Sequence, residues 1–394
     1  MPWRESSPMD ERVRFVVEAR LGRLNFAELC RLFGISRKTG YKWMERYEAE
    51  GPLGLRARSS APHTSPQRIE DQVAAELVSL RKAHPTWGPR KLLAILERAH
   101  PSRDWPAAST VGDLLKREGL VQRRQRRRHA SPTTQPFADC VAPNDTWCID
   151  FKGQFRVGNG LCYPLTMTDA VSRYLLCCRG MDVTDGMRVR KTLERVFREH
   201  GLPRRMRSDN GSPFASTGRG GLSRLSVWWI RLGITPERIE PGEPQQNGRH
   251  ERMHGTLKRD VARRGSMPAQ QRALDEFQLT YNTIRPHEAL DMRTPAEVHA
   301  PSPRSYPRRL PELEYPDGYE LRHVRHNGQI RWKYRLVHLN RALAGEVVGL
   351  RPEDDGLWSV HFGPVLLGYT DERAPKLGIV RPRWGQEVLP RSPV

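Results

Sequence analysis

Three stretches near the start of the chain space their apolar residues as helices do. They predict helices over residues 11–19, 26–32 and 37–47. Gly34 breaks the second from the third, and Ser36 is a good N-cap for the third, so the order is helix, short glycine-containing turn, helix. A connector rich in Gly, Ala, Ser and Pro follows at 51–66. A second helical unit is then expected, over 69–83 with Val73, Leu77 and Leu80 apolar, over 91–98, and over 109–118 with Ser109 as its cap. From Asn144 the pattern changes to strands. Residues 146–157, a Gly158-Asn159-Gly160 turn, 161–168 and 173–180 read as an antiparallel meander, followed by a helix at 185–199 and a strand at 204–207. Three antiparallel strands, a helix and a further strand make the ribonuclease-H-like order. The stretch from Pro241 is kept non-helical by prolines and glycines, and it delivers a helix that runs from Arg249 onward. Beyond a proline-rich linker at 301–316, short strands at 319–326, 329–337, 345–350 and 358–362 fit a small SH3-like β-barrel.

The expected fold is therefore multidomain α+β: N-terminal helix-turn-helix units, a ribonuclease-H-like core and a C-terminal barrel. The boundaries fall at 1–55, 67–122, 144–300 and 317–372, with a basic linker at 123–143 and a tail at 373–394. A formal charge of +21 over 394 residues points to phosphate polymers as partners. Six cysteines without C-x-x-C or ribbon spacing read as reduced, mostly buried thiols. No apolar run approaches the roughly 18 residues of a membrane span and there is no signal-peptide pattern, so the expected location is cytoplasmic and nucleoid-associated. In the third helix, Arg37, Lys38, Tyr41 and Lys42 are candidate groove or phosphate contacts. Arg123, Arg124, Arg126, Arg127 and Arg128 form a charge run suited to tracking a phosphate backbone. Arg331 and Lys333, with Arg322, Arg325 and Arg335, make one sheet of the barrel basic.

Three carboxylates are the candidate chemistry. Asp150 lies inside an apolar strand, where an ionised group costs several kcal/mol unless something compensates it. Asp209 ends a strand, and Glu251 stands in the first turns of a helix, on one face with His254, Gly255 and Lys258. Converging carboxylates repel one another without a divalent cation, and their hard oxygens suit Mg²⁺. Asp169 in Thr-Asp-Ala reads instead as a turn or cap. His250-Glu251-Arg252-Met253-His254 is also a literal H-E-x-x-H, which in a zinc peptidase would make both histidines ligands and Glu251 the base. No secretory context supports that alternative, and Glu276 is the one downstream candidate for a third ligand.

The chain resembles the insertion-sequence transposases, whose core belongs to the retroviral-integrase superfamily with a D,D,E triad. The residues that carry the resemblance are Trp147 to Asp150, Ser208 to Gly211, Pro244 to Gly248 through Glu251, Tyr281-Asn282 and Arg285-Pro286-His287. The resemblance implies that Asp150, Asp209 and Glu251 are the catalytic, metal-binding triad, with Mg²⁺ and Mn²⁺ as a substitute. It also implies that the Pro244 to Gly248 loop is a flap beside them and that Lys258 contacts DNA near the cleaved end. Three departures stand out. The wide gap from Asp209 to Glu251 implies an insertion at 214–226 that loops out toward DNA. Gly255 stands where many relatives carry a basic side chain, and no His-His-Cys-Cys zinc module precedes the core. The implied function is a DNA transposase, at least dimeric, that frees 3′-hydroxyls at transposon ends and joins them to target DNA. A catalytically inactive, domesticated regulator is the rival, with a structure-selective nuclease behind it.

Overall fold

A computed structural model describes residues 7–58, 69–121, 137, 139–216, 219–239, 244–374 and 378–379. The chain falls into two compact units, Met1–Glu70 and Asp71–Val394.

The first unit holds α1 (Pro8–Leu21), α2 (Phe26–Leu32) and α3 (Arg37–Glu50), closed by a 3-10 turn at Gly51–Leu55. Each helix starts on a side-chain cap: Ser7 exchanges bonds with Asp10, Asn25 accepts from the Glu28 amide, and Ser36 accepts from the Thr39 amide. Phe15, Val16, Leu29, Cys30, Trp43 and Leu55 form its core. Gly40 lets α3 lie close to α2, since a Cβ there would come within 2.7 Å of the Cys30 sulfur.

The second unit opens with α4 (Asp71–Ala83), α5 (Pro89–Ala99) and α6 (Ala108–Arg117). Ser109 lies inside α6 rather than capping it; the N-cap is Ala107, with no side-chain bond. This helical module is docked on the core. Arg98 reaches the Met292 carbonyl at 2.7 Å and Glu297 at 3.4 Å, and the Arg285 guanidinium lies over the Trp87 ring.

The core sheet is built from β1 (Thr146–Phe151), β2 (Phe155–Val157), β3 (Gly160–Asp169), β4 (Leu175–Met181), β5 (Arg205–Ser208) and β6 (Thr235–Arg238). It runs β2-β3-β1-β5-β6, with β4 on the other side of β3. The strand expected over 146–157 is two strands, because the chain breaks at Lys152 to Gln154, where Gly153 adopts φ +78°. Both pieces pair with β3. β1 and β5 are parallel, as are β5 and β6. Helices α7 (Gly186–His200) and α8 (Arg224–Arg231) make the crossovers and pack in the main core, whereas α9 (Gly248–Asp260) and α10 (Met267–Thr283) pack in a separate cluster with Leu175 and Cys178 of β4; the short α11 (Pro295–Val298) follows. Trp147, Ile149, Leu165, Met167, Leu193, Phe197, Met206 and Trp229 fill the core.

The segment expected to loop out does the opposite. Phe214, Leu225, Trp228 and Trp229 enter the main core, while Leu222, Val227 and Ile230 join the apolar cluster of the C-terminal β-domain. Because α8 is apolar nearly all round, it must be buried on both sides. The proline-rich stretch is likewise a docked strap. Ser302 and Leu202 tie it to the end of α7 through bonds to the His200 and Arg304 carbonyls, and Arg304 spans to the carbonyls of Pro203, Leu232 and Gly233.

The C-terminal domain contains β7 (Glu320–His323), β8 (Gln329–Trp332), β9 (Arg335–His338), β10 (Val347–Asp354), β11 (Leu357–Phe362) and β12 (Val365–Asp371). Four strands form a sheet ordered β12-β11-β10-β7, and β8 and β9 form a separate hairpin. The strand expected over 329–337 is this hairpin, turned at Lys333 and Tyr334 with both residues at positive φ. The basic residues therefore divide between two sheets, Arg322 on β7 and Arg331 and Arg335 on the hairpin.

The packing of α8 makes a direct prediction. Trp229→Ala should lower stability by about 3–5 kcal/mol in urea unfolding, whereas a segment looped into solvent would lose no more than about 0.5 kcal/mol.

Candidate active site

Ile149 on β1 is paired with Ser208 on β5 in parallel register. The next residues, Asp150 and Asp209, therefore leave the carboxyl ends of two adjacent parallel strands side by side, where open α/β sheets form their crevice. Asp150 keeps 24% of its side chain exposed. Asp209 accepts the Gly211 amide at 3.1 Å, and a Cβ at Gly211 would press to 3.0 Å from its carboxylate, which explains the glycine in Asp-Asn-Gly.

Glu251 is brought to this edge by α9, and two histidines hold that helix against the sheet. The buried His250 places Nδ1 at 2.7 Å from the Thr168 hydroxyl and Nε2 at 2.9 Å from that of Thr166. His254 Nε2 lies 2.7 Å from the same Thr166 hydroxyl, and Thr166 also donates to the Asp150 carbonyl at 3.1 Å. Met253 and Leu257 anchor the helix in a cluster with Leu175, Cys178, Leu274, Phe277 and Tyr281. Burial pushes His250 well below the usual imidazole range and His254 down to about 4, so both rings are neutral at pH 7. With both ring nitrogens of His250 facing threonine hydroxyls, the H-E-x-x-H residues are not arranged as a zinc site. Glu251 itself is exposed.

Burial first, then the charges of Asp209 and Glu251, raise the Asp150 carboxyl to about 7. The three carboxylates thus feel one another. Among the described residues, however, no three His, Cys, Asp or Glu side chains stand close enough to ligate one ion. The donor set nonetheless fits a hard divalent cation: all ligands are carboxylate oxygens, and a cation would relieve the repulsion that raises Asp150.

A second set of residues, missed in the sequence, supports this edge. Arg207 and Glu237 face each other across β5 and β6, both buried, in an ion pair at 3.0 Å. Arg207 also donates to the Gln246 carbonyl at 3.2 Å, in the turn that leads into α9. Phe137 lies between guanidiniums, 4.1 Å from Arg207 and 4.4 Å from Arg249. The visible signal was two opposite charges near the candidate carboxylates, Arg207 before Asp209 and Glu237 after Ile234. Their partnership across thirty positions was not visible.

The other expected site residues belong to several parts of the chain. Arg37, Lys38, Tyr41 and Lys42 are exposed on α3, with the Tyr41 ring stacked on Phe26 at 4.3 Å. Lys258 is exposed on α9 beyond Glu251. Arg331 is exposed on the hairpin, while Lys333 pairs with Glu372 at 3.5 Å. Arg123, Arg124, Arg126, Arg127 and Arg128 lie outside the described residues.

Family models match four parts of the chain: Integrase core domain at 141–244 and again at 232–295, Helix-turn-helix domain at 11–63 and Homeodomain-like domain at 39–115. An uncharacterized 31.7 kDa protein of insertion element IS407 from Burkholderia multivorans is 26% identical, over 71% of this chain and 92% of its own length. A protein of insertion element IS136 from Agrobacterium fabrum is 31% identical, over 39% of this chain and 82% of its own. The chain belongs to the insertion-element transposases with an integrase-type core. The transposase InsD of insertion element IS2A/D/F/H/I/K from Escherichia coli is 27% identical, over 54% of this chain and 73% of its own.

In this transposase core the remaining residues of the resemblance are fasteners. The Asn282 amide exchanges bonds with the backbone of Leu175 at 2.8 and 3.0 Å, tying α10 to β4. Arg285 pairs with Asp260 at the end of α9, and His287 packs edge-on against Tyr281. At the level of the family, membership implies polynucleotidyl transfer.

Two predictions follow from the electrostatics. Glu237→Ala strands the buried Arg207 charge and should cost about 3–5 kcal/mol in urea unfolding. Asp150→Asn should stabilise the protein in EDTA at pH 8 by about 1–2 kcal/mol. With the folded pKa raised to about 7 and the unfolded one near 3.8, the wild type loses stability as pH rises from 3.8 to about 7, and the loss is complete above that. The advantage of Asp150→Asn should therefore shrink toward pH 5, as read by melting temperature.

Proposed function

We propose that the chain is an active DNA transposase that cuts the ends of its element to free 3′-hydroxyls and joins them to target DNA. The observation that supports this best is the meeting of Asp150 and Asp209 at adjacent strand ends, with the helix of Glu251 pinned beside them through Thr166 and Thr168. Asp150, Asp209 and Glu251 would hold Mg²⁺, with Mn²⁺ as a substitute. Bound there, the cation supplies charge stabilisation at the attacking and leaving oxygens of phosphoryl transfer. Because the 3′-oxygen that leaves in hydrolysis returns as the attacking oxygen in strand joining, each step has one attacking and one leaving oxygen, and one site can serve both.

The protein's own residues do the rest. The neutral His250 and His254 fix the angle of α9 without adding charge beside the carboxylates. Arg207 holds the turn that precedes α9, so the position of Glu251 follows β5 and β6. On α3, Arg37, Lys38, Tyr41 and Lys42 form an exposed, basic first half suited to a major groove. Arg123, Arg124, Arg126, Arg127 and Arg128 would track the backbone between modules. Lys258 would meet DNA near the cut, and Arg331 and Lys333 would do so from a C-terminal domain of SH3-like type. Joining two ends at one target calls for at least two copies of the chain, acting on the nucleoid.

A labelled duplex carrying the element's own ends, with a plasmid target and Mg²⁺, tests this reading. Wild type should give cleaved and joined products, and Glu251→Gln should reduce both by at least about 10³-fold while still binding the ends. Specific binding without cleavage by wild type, in Mg²⁺ or Mn²⁺, would instead identify a regulator with an inactive core.

A further inference from the structure

Among the described residues, a group of arginines on the flank of α9 has no ion-pair partner. Arg173 sits in the turn between β3 and β4, at φ +64°, an unusual conformation for a long side chain. Its Nη1 is buried with no hydrogen-bond partner. Arg249 reaches this same turn from α9, donating to the Ala170 carbonyl at 2.8 Å. Arg252 lies one turn further along α9 and is exposed. Burial, then the nearby charge of Arg249 and more weakly that of Arg252, lower the Arg173 guanidinium to about 10.

The carboxylate of the same turn is already committed. Asp169 accepts the Asn144, Val171 and Ser172 amides and the Ser172 hydroxyl, at 2.6 to 3.0 Å, and these bonds shape its own turn. Among the described residues no carboxylate forms an ion pair with Arg173, Arg249 or Arg252. A buried donor left unmade costs about 1–3 kcal/mol, and mutual repulsion adds to that. Such an arrangement persists where an anion completes it.

We propose that Arg173, Arg249 and Arg252 form a binding site for one backbone phosphate of DNA, separate from the carboxylates and next to Glu251 on the same helix. Guanidiniums suit a phosphodiester because their forked donors match its paired oxygens. The amino-terminal turn of α9 adds its partial positive charge to the same place. Arg252 is set about 100° round the helix from Glu251, since the two are consecutive. A strand whose phosphate rests on the arginines would thus pass beside the carboxylates. The site deepens the transposase reading and depends on it: it sets where along the strand the cut falls.

Binding of the fluorescent end duplex is measured by anisotropy from low to high salt, for wild type, Arg252→Gln, Arg252→Lys and Arg173→Gln. Each lost phosphate contact should flatten the plot of log affinity against log salt by about one. Arg252→Gln should show that loss and Arg252→Lys should retain the wild-type slope. Arg173→Gln should also flatten the slope while melting no lower than wild type, because its Nη1 has no partner to lose; lower melting with an unchanged slope would mark Arg173 as structural and overturn the site. Replacing phosphates one at a time by neutral methylphosphonates should expose one position that weakens wild type but not Arg252→Gln. The same sensitivity in both proteins would overturn the proposal. So would an unchanged slope in Arg252→Gln with altered sedimentation, which would make the anion a carboxylate of a second copy. If joining still requires Glu251 while these slopes match wild type, only this site fails. If wild type joins no ends, the transposase reading fails with it.

Discussion

The buried ion pair between Arg207 and Glu237 is the constraint on which the geometry of the active edge depends. Two charges removed from water are tolerated only when each satisfies the other, and here they do so across neighbouring strands at 3.0 Å. The pair fixes β5 against β6 two positions before Asp209 leaves the sheet. Through the Gln246 carbonyl it also reaches the turn that starts α9, and through Phe137 it reaches Arg249. A hydrophobic pair could join two strands equally well. It could not hold a polar backbone turn and an aromatic ring from the same side chain.

The carboxylates show the opposite electrostatics. Asp150 is raised to about 7 by burial and by two like charges, so the fold maintains a local cost at the place where chemistry is expected. That cost is sustained by neutral contacts around it. Thr166 serves His250, His254 and the Asp150 carbonyl at once, and its two histidine bonds restrain α9 without adding a cation that would quench the site. The histidines that suggested a zinc motif are better understood this way: buried imidazoles satisfied by hydroxyls, with Glu251 turned outward.

Much of this was legible in the chain. Ser36 and Gly34 marked the start of α3, the Asn-Gly turn announced the meander, and proline and glycine set off α9. What failed did so for identifiable reasons. Gly153 breaks an otherwise continuous strand pattern, and its φ of +78° shows only in three dimensions. Lys333 and Tyr334 turn a hairpin without turn chemistry, both at positive φ, so the pattern read straight through them. β6 contains Pro236, which argues against a strand unless it lies on an edge, and it does. α8 was mistaken for an excursion because its length was judged against relatives; the pairing of Trp228 and Trp229 with Val227 and Ile230, which buries it on two sides, was the better signal. Of the candidate site, the carboxylates were visible as residues. The arginines around them were not, because a guanidinium is conspicuous only once its missing partner can be seen.

That missing partner connects the two halves of the site. Where charge serves the scaffold it is paired, as in Arg207 with Glu237, Arg231 with Glu346 and Arg285 with Asp260. Around the first turns of α9, no ion pair among the described residues joins Asp150, Asp209 or Glu251 on one side to Arg173, Arg249 or Arg252 on the other. A phosphodiester accompanied by divalent cations carries the complementary charges in that same order. Binding of either component lowers the cost of the other, since each removes like-charge repulsion that opposes the shared arrangement, and by linkage the effect is reciprocal.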